Sequence, residues 1–179
     1  LEDRDLLLKL QNEETRNYGF NLLVRKYQEK IYWLIRKMVL DHDDANDLVQ
    51  DVFIKVWNNI DKFREDAQLY TWIYRIATNQ CLTFLAKKKR RFFLPIGDVE
   101  AELSAVLDRG QYLDGDEIQL KLQKALLKLP DKQRLVFNMK YFEEMKYEDI
   151  STITGTSVGA LKASYHHAVK KIEEILNQD

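Results

Sequence analysis

A chain of 179 residues is long enough for one ordinary domain or two small ones. Its 45% hydrophobic and 32% charged residues give a globular balance and exclude a disordered polymer. No apolar run approaches the roughly 20 residues that span a bilayer, so membrane insertion is not expected, and the lone Cys81 has no internal partner, which fits a reducing cytoplasm.

Only six Gly and two Pro interrupt the chain, so long helices are the natural reading. The opening "LEDRDLLLKL" is acidic and amphipathic, unlike a secretory signal, and from a start at Leu1 without Met a few native residues are expected to have been trimmed or left out. The net charge of −1 hides an uneven distribution. Residues 1–91 carry 17 basic against 14 acidic side chains, residues 92–117 carry 1 against 7, and residues 118–179 carry 10 against 8. Two weakly basic ends around an acidic middle suggest two modules and a linker, although charge alone would allow chance.

Residues 20–40 place Phe20, Leu23, Val24, Tyr27, Ile31, Leu34, Ile35 and Met38 at helical spacing. "DHDD" then offers acidic capping to a helix over about 43–60. That helix has an apolar stripe of Ala45, Leu48, Val49, Val52, Phe53, Val56 and Trp57. Its other face carries Asn46, Asp47, Gln50, Asp51, Lys55 and Asn58. After the polar turn "DKFREDAQ", a helix through 70–86 turns Ile73, Ala77, Cys81 and Phe84 inward. Thr71, Arg75, Thr78, Asn79 and Leu82 fall on another, mostly polar face.

Tyr70, Trp72 and Tyr74 begin this helix, and Lys87, Lys88, Lys89, Arg90 and Arg91 close it. Rings beside cations suit single-stranded nucleic acid, since any base can stack on a ring and the cations hold phosphates. Trp72 and Tyr74 could equally be core residues, and the basic tail could be a solvated helix end.

Residues 92–117 hold Pro95, Gly97, Gly110 and Gly115 and lose the helical period, apart from a short helix expected around 99–107. Beyond them, 118–129 reads as a helix ended by Pro130, and 131–142 as a helix capped by Asp131. "KYEDISTITGTSVGALKASYHHAVKKIEEIL" then reads as helix, short turn, helix. Gly155 suits a left-handed position and Ser157 can cap the next helix, which together make a helix-turn-helix. With Leu161, Tyr165, Ala168 and Ile172 inward, the last helix presents Lys162, Ala163, Ser164, His166, His167, Lys170 and Lys171. Those residues can meet phosphates and base edges; a merely solvated face is the alternative.

Catalytic chemistry is not expected. His166 and His167 are adjacent on a helix, about 100° apart, and cannot chelate one ion well. His42-Asp43 resembles the dipeptide of metal-dependent phosphohydrolases, but the chain's three histidines do not supply the further ligands. No glycine-rich phosphate loop and no nucleophile–base pairing is present. Neither metal nor cofactor is implied.

Four segments, "DANDLVQDVFIKVW", "FREDAQLYTWIYRIATNQCLTFLAKKKRR", "LPDKQRLVFNMKYFE" and "YEDISTITGTSVGALKASYHHAVKKI", cover most of the chain. In that order they resemble the motifs of bacterial extracytoplasmic-function sigma factors. The resemblance implies an all-α chain of two small helical domains joined by a flexible linker. Region two would occupy residues 1–91, an acidic linker 92–117, and region four with its helix-turn-helix 118–179. It implies that the chain recruits core RNA polymerase to promoter DNA and helps to open it. Asp47, Gln50 and Asp51 match the docking surface for the polymerase β′ clamp helices.

By the same resemblance, Phe63 and Arg64 in the loop to Gln68, with Tyr70, Thr71, Trp72, Arg75 and Asn79, match the minus-ten element, where a flipped base enters a loop pocket. The tail Lys87 to Arg91 would hold its backbone. Lys162, Ala163, Ser164, His166, His167 and Lys170 match the helix that reads the minus-thirty-five element. An anti-sigma protein is the expected inhibitor. Housekeeping sigma factors carry two neighbouring Trp residues at the opening wedge, where this chain has Trp72-Ile73. The other reading of the residues is a stand-alone helix-turn-helix regulator whose N-terminal bundle dimerises or binds an effector.

Overall fold

The computed structural model describes residues 1–91, 96–109 and 116–178, and among them every regular element is helical. A short helix α1 (Asp3–Gln11) leads into the long α2 (Arg16–Val39), α3 (His42–Asn59) with a 3₁₀ turn at Ile60–Lys62, and α4 (Leu69–Arg91). Packed together, these place Leu6, Leu23, Ile31, Leu34, Ile35, Val52, Val56, Ile73, Ala77 and Cys81 in the core. The helical spacing read from the sequence accounts for nearly all of them. Gly19 lets α1 lie close on α2, because a Cβ there would stand 2.8 Å from Lys9 Cβ.

Helix α3 begins at the acidic cap. Asp41 accepts from the backbone N–H of Asp44 at 2.9 Å, satisfying a donor that the first turn leaves over. In α4 the inward set differs by one position from the expected one. Leu85 is buried and Phe84 only half-buried, because steps of four from Ile73 through Ala77 and Cys81 arrive at 85. Thr71 and Thr78, expected on a polar face, are buried, and their hydroxyls donate to the carbonyls of Gln68 and Arg75 at 2.9 and 3.1 Å.

The chain continues through α5 (Ile96–Asp108), α6 (Glu117–Leu126), α7 (Asp131–Tyr141), α8 (Tyr147–Thr154) and α9 (Val158–Asn177). Gly155 ends α8 at φ 74, and Ser157 caps α9 by accepting from the Ala160 N–H at 3.2 Å, as the spacing requires. Asp131 does not cap α7. Pro130 holds that position, and the Asp131 carboxylate pairs with Lys89 instead.

The sequence leaves the relative placement of the two helical groups open. Here they share a core: Leu135, Val136, Met139, Met145, Ile150, Ile153 and Leu161 join the apolar cluster of α1–α4. Helix α8 packs on α4, and α7 on α2 and α4. A separate cluster, including Leu126, Leu129, Phe137, Ala168 and Ile172, holds α6, α7 and α9 together. The acidic segment expected to be a flexible linker is, over α5, a docked helix. Its Leu103 and Leu107 pack between Leu40, at the end of α2, and Leu127 after α6.

Leu40 has φ 64, a conformation costing a branched residue about 1 kcal/mol or more. Its fully buried side chain in that cluster, and the 2.7 Å bond from Arg36 Nε to its carbonyl, hold it there. The neighbouring carbonyl of Met38 accepts from Arg134 Nη1 of α7 at 3.0 Å. The C-terminus of α2 is therefore capped by an arginine from the other half of the chain.

Candidate nucleic-acid and polymerase interfaces

Three surfaces carry the candidate residues. On α3, Asp47, Gln50 and Asp51 are all exposed, because the apolar face of the helix fills the core and leaves these outside. Beside them lies an apolar groove lined by Phe20, Val24, Val49, Phe53, Ile54 and Trp57, with Gln28 and Gln50 at its margin. Ile54 is 57% exposed, and the Phe20 and Trp57 rings meet edge to face at 4.9 Å. The Arg16 guanidinium covers Trp57 at 4.8 Å from the ring centre. The polar-face reading passed over this groove. Its signal was Ile54, four residues after Gln50 and so on the same strip of helix.

The second surface runs from the loop after the 3₁₀ turn into α4. Phe63 and Trp72, both partly buried, lie 5.2 Å apart between ring centres, while Arg64, Arg75 and Asn79 are exposed. The loop is tied down by Thr71 to Gln68 and by Gln11 Nε2 donating to Glu65 at 2.9 Å. Thr71 supports the loop and offers no free group to a ligand. Tyr74 is a core ring, one of the two alternatives read from the sequence, and burial raises its hydroxyl pKa well above the ordinary value. Tyr70 is only partly covered, but its hydroxyl donates to Asp149 of α8, and burial followed by that bond raises its pKa.

At the far end of α4, Lys87 and Arg90 are exposed, while Lys88 pairs with Glu102 of α5 at 3.1 Å and Lys89 with Asp131 of α7 at 2.6 Å. The Arg91 side chain lies outside the described residues.

The third surface is the outer face of α9. Lys162, Ala163, His166, His167 and Lys170 are exposed, and Ser164 is half-exposed. The Lys162 ammonium stands 5.7 Å from the centre of the Tyr147 ring, which Lys140 also approaches at 4.4 Å. Small and cationic groups in this order leave room for a backbone to approach and supply donors to it.

The remaining reactive groups are engaged in structure. His42 Nδ1 pairs with the Tyr32 hydroxyl at 2.7 Å and Nε2 with the Asn46 amide at 3.0 Å, so both ring nitrogens are taken. Burial pushes the Cys81 thiol up to about 12, which makes it a core residue and not a nucleophile. No described helix is long and apolar enough to cross a membrane.

An all-helical chain with a four-helix first unit, a helix-turn-helix second unit and polar faces on both has the build of a promoter-recognition factor. Residues 23–91 match the family model for Sigma-70 region 2, and residues 119–172 match that for Sigma-70 region 4. The chain is 33% identical to the RNA polymerase sigma-H factor of Pseudomonas aeruginosa over 98% of its own length and 94% of the relative. It is 32% identical to the extracytoplasmic-function sigma factor SigW of Bacillus subtilis over 88% of the chain and 89% of the relative.

In fold it is similar to the sigma factor RpoE of Bartonella quintana, solved in complex with the anti-sigma factor NepR. That match has a TM-score of 0.66 at 24% identity and covers 89% of this chain and 98% of the other. The chain belongs to the extracytoplasmic-function sigma factors of RNA polymerase. It is a promoter-specificity factor for transcription initiation and not an enzyme, which decides between the two readings that the residues left open.

Proposed function

We propose that the three surfaces divide the work of promoter recognition. Asp47, Gln50 and Asp51 dock against the β′ clamp helices of core polymerase, where acidic and amide groups complement a basic coiled coil and the Ile54–Trp57 groove takes an apolar side chain from it. The loop Phe63–Gln68 with Arg64, Tyr70, Trp72, Arg75 and Asn79 receives the minus-ten strand, with Trp72 against the unpaired base and the Lys87–Arg91 tail along its backbone. Thr71 positions that loop. Lys162, Ala163, Ser164, His166, His167 and Lys170 of α9 meet the minus-thirty-five duplex through its major groove.

The functional units follow as residues 1–91 and 118–179 with the acidic segment 92–117 between them, working in the cytoplasm. Because the Bartonella relative is described bound to an anti-sigma factor, an anti-sigma protein is the natural inhibitor here too. The observation that carries this reading is the exposure of all three carboxylate and amide groups on α3 beside an open apolar groove. Nothing in folding the unit requires an apolar groove to stay uncovered.

The test is gel filtration with core polymerase followed by transcription from genomic fragments. The unaltered chain should co-elute and start promoter-dependent RNA. Asp47→Lys with Asp51→Lys should lose co-elution while keeping its helical circular dichroism. Retained co-elution would remove α3 as the docking face.

A further inference from the structure

Two of the chain's three histidines stand side by side on the outer face of α9. His166 and His167 are both exposed, with ring centres 6.1 Å apart. Steps of four put His166 in one column with Lys162 and Lys170, and His167 in the next with Ala163 and Lys171. The imidazoles therefore sit inside a face that already carries lysines, and imidazole is the side chain whose charge ordinarily changes between about pH 5 and 8.

No partner within the fold claims either ring. Among the described residues neither makes a hydrogen bond or an ion pair, whereas both nitrogens of His42 are taken. The charged groups sharing the helix are Lys162, Lys170, Lys171, Glu173 and Glu174. On the helices packed against α9, Asp149 is engaged by Tyr70, Asp131 by Lys89 and Lys124 by Asp108. Glu148 of α8, Lys132 and Lys140 of α7, and Glu117 and Lys121 of α6 form no pair with either ring.

Place along the helix decides what the rings meet. The first turns of a reading helix reach base edges, and later turns pass the groove wall, where the phosphates lie. Gly159, Ala160 and Ala163 keep the start of α9 slim, and a Cβ at Gly159 would have nothing within 4 Å. His166 and His167 open the third turn, with Lys170 beyond them.

We propose that His166 and His167 are proton-dependent phosphate contacts: each, when charged, pairs with a backbone phosphate at the rim of the minus-thirty-five groove, so that affinity for this duplex rises as the pH falls. The proposal rests on the minus-thirty-five assignment of α9 above. A phosphate beside an imidazole favours its charged form, so the bound state holds more protons than the free one and acid favours binding. Two charged rings this close repel one another in the free chain, and phosphates on either side relieve that repulsion. Each phosphate contact steepens the plot of log affinity against log salt by about 0.9, on the order of eightfold in affinity at 0.1 M salt.

The test is fluorescence anisotropy of the full chain with a labelled mixed-sequence duplex of about 20 base pairs, at about pH 5.8 and 8.0 over roughly 0.05 to 0.3 M salt. Phosphate contacts read no sequence, so the promoter itself is not needed. The unaltered chain should bind tens of times tighter at the lower pH, with a salt slope steeper by up to ~1.8. His166→Gln with His167→Gln should lose the pH dependence of both affinity and slope. His166→Arg with His167→Arg should also lose it and keep the steep slope at the higher pH.

Affinity indifferent to pH in the unaltered chain, or equally dependent on pH in the glutamine variant, would overturn the proposal. Tighter binding in acid with an unchanged slope would overturn the phosphate role. Should circular dichroism show that acid unfolds the chain, the slope of the arginine variant at the higher pH carries the test, and a slope no steeper than that of the unaltered chain there would overturn it. Lys162→Ala with Lys170→Ala separates the two failures. If it weakens a binding that ignores pH, the assignment of α9 stands and only the histidine role falls; if it leaves binding unchanged, α9 is not the duplex-reading face and the proposal falls with the assignment.

Discussion

Removing one buried side chain should loosen the packing of the second unit on the first. Arg134 Nη1 donates to the Met38 carbonyl at 3.0 Å and reaches the Lys37 carbonyl at 3.4 Å, at the negative end of α2. A hydrogen bond from a charged donor is worth about 2 kcal/mol net, and a cation at a partly buried helix C-terminus adds about 1 kcal/mol. The longer contact is counted as nothing. Arg134→Ala should therefore weaken that packing by about 3 kcal/mol, roughly a hundredfold in the ratio of packed to separated forms.

A chain packed about ten to one would become separated by a similar margin. Energy transfer between fluorophores on Asn58→Cys and Glu174→Cys, exposed positions of the two units, reads the change, and circular dichroism checks that each unit stays helical. Arg134→Met, which keeps most of the volume and loses the charge, should behave as the alanine variant does. Transfer retained in the alanine variant would refute the capping argument, and transfer restored by methionine would show that packing was the cause.

Three further outcomes follow from the site geometry. Trp72→Ala should reduce open-complex formation, measured by permanganate reactivity of unpaired thymines, with polymerase binding unchanged; equal loss of both would mean that Trp72 is structural. Ile54→Ser should weaken co-elution with core polymerase about tenfold without lowering the melting temperature, since the side chain is mostly exposed in the free chain; a lower melting temperature would make it a core residue. Ser157→Ala removes the acceptor for the Ala160 N–H and should cost the second unit about 1 kcal/mol in urea denaturation.

What was legible in the sequence was what neighbours along the chain decide. Gly155 and Ser157 fix a turn within a few residues, and the stripes of α2 and α3 follow from spacing alone, so the helix-turn-helix and the first bundle could both be read. The inward face of α4 was read almost correctly. Phe84 and Leu85 are both apolar, and only the partner helices decide which of them turns inward. Thr71 looks polar in sequence, and its burial depends on a carbonyl three residues back being within reach.

Val136, Met145 and Ile150 were legible as apolar, but no local pattern says whose core they fill. Their partners in α2 and α4 lie dozens of residues earlier along the chain, and the choice between an internal and a shared core is made by shape. Asp131 illustrates the same limit. At the start of a helix an aspartate reads as a cap, and only the folded chain brings Lys89 close enough to claim it.

The two faces of the first unit stand in opposite states, and this constrains what can separate the units. A ligand shifts an equilibrium only by its differential affinity for the two forms. The groove of Phe20, Val49, Phe53, Ile54 and Trp57 is built within α2 and α3 and is open while the units are packed, so a partner that touches it alone gains nothing from their separation. A peptide spanning the β′ clamp helices should accordingly bind and leave energy transfer unchanged. Whole core polymerase should abolish transfer, because it alone can also hold the second unit away from the first. If the clamp peptide by itself lowered transfer, α3 would have to be coupled to the α4–α8 contact through the shared core, and the independence of docking from unit packing would fail.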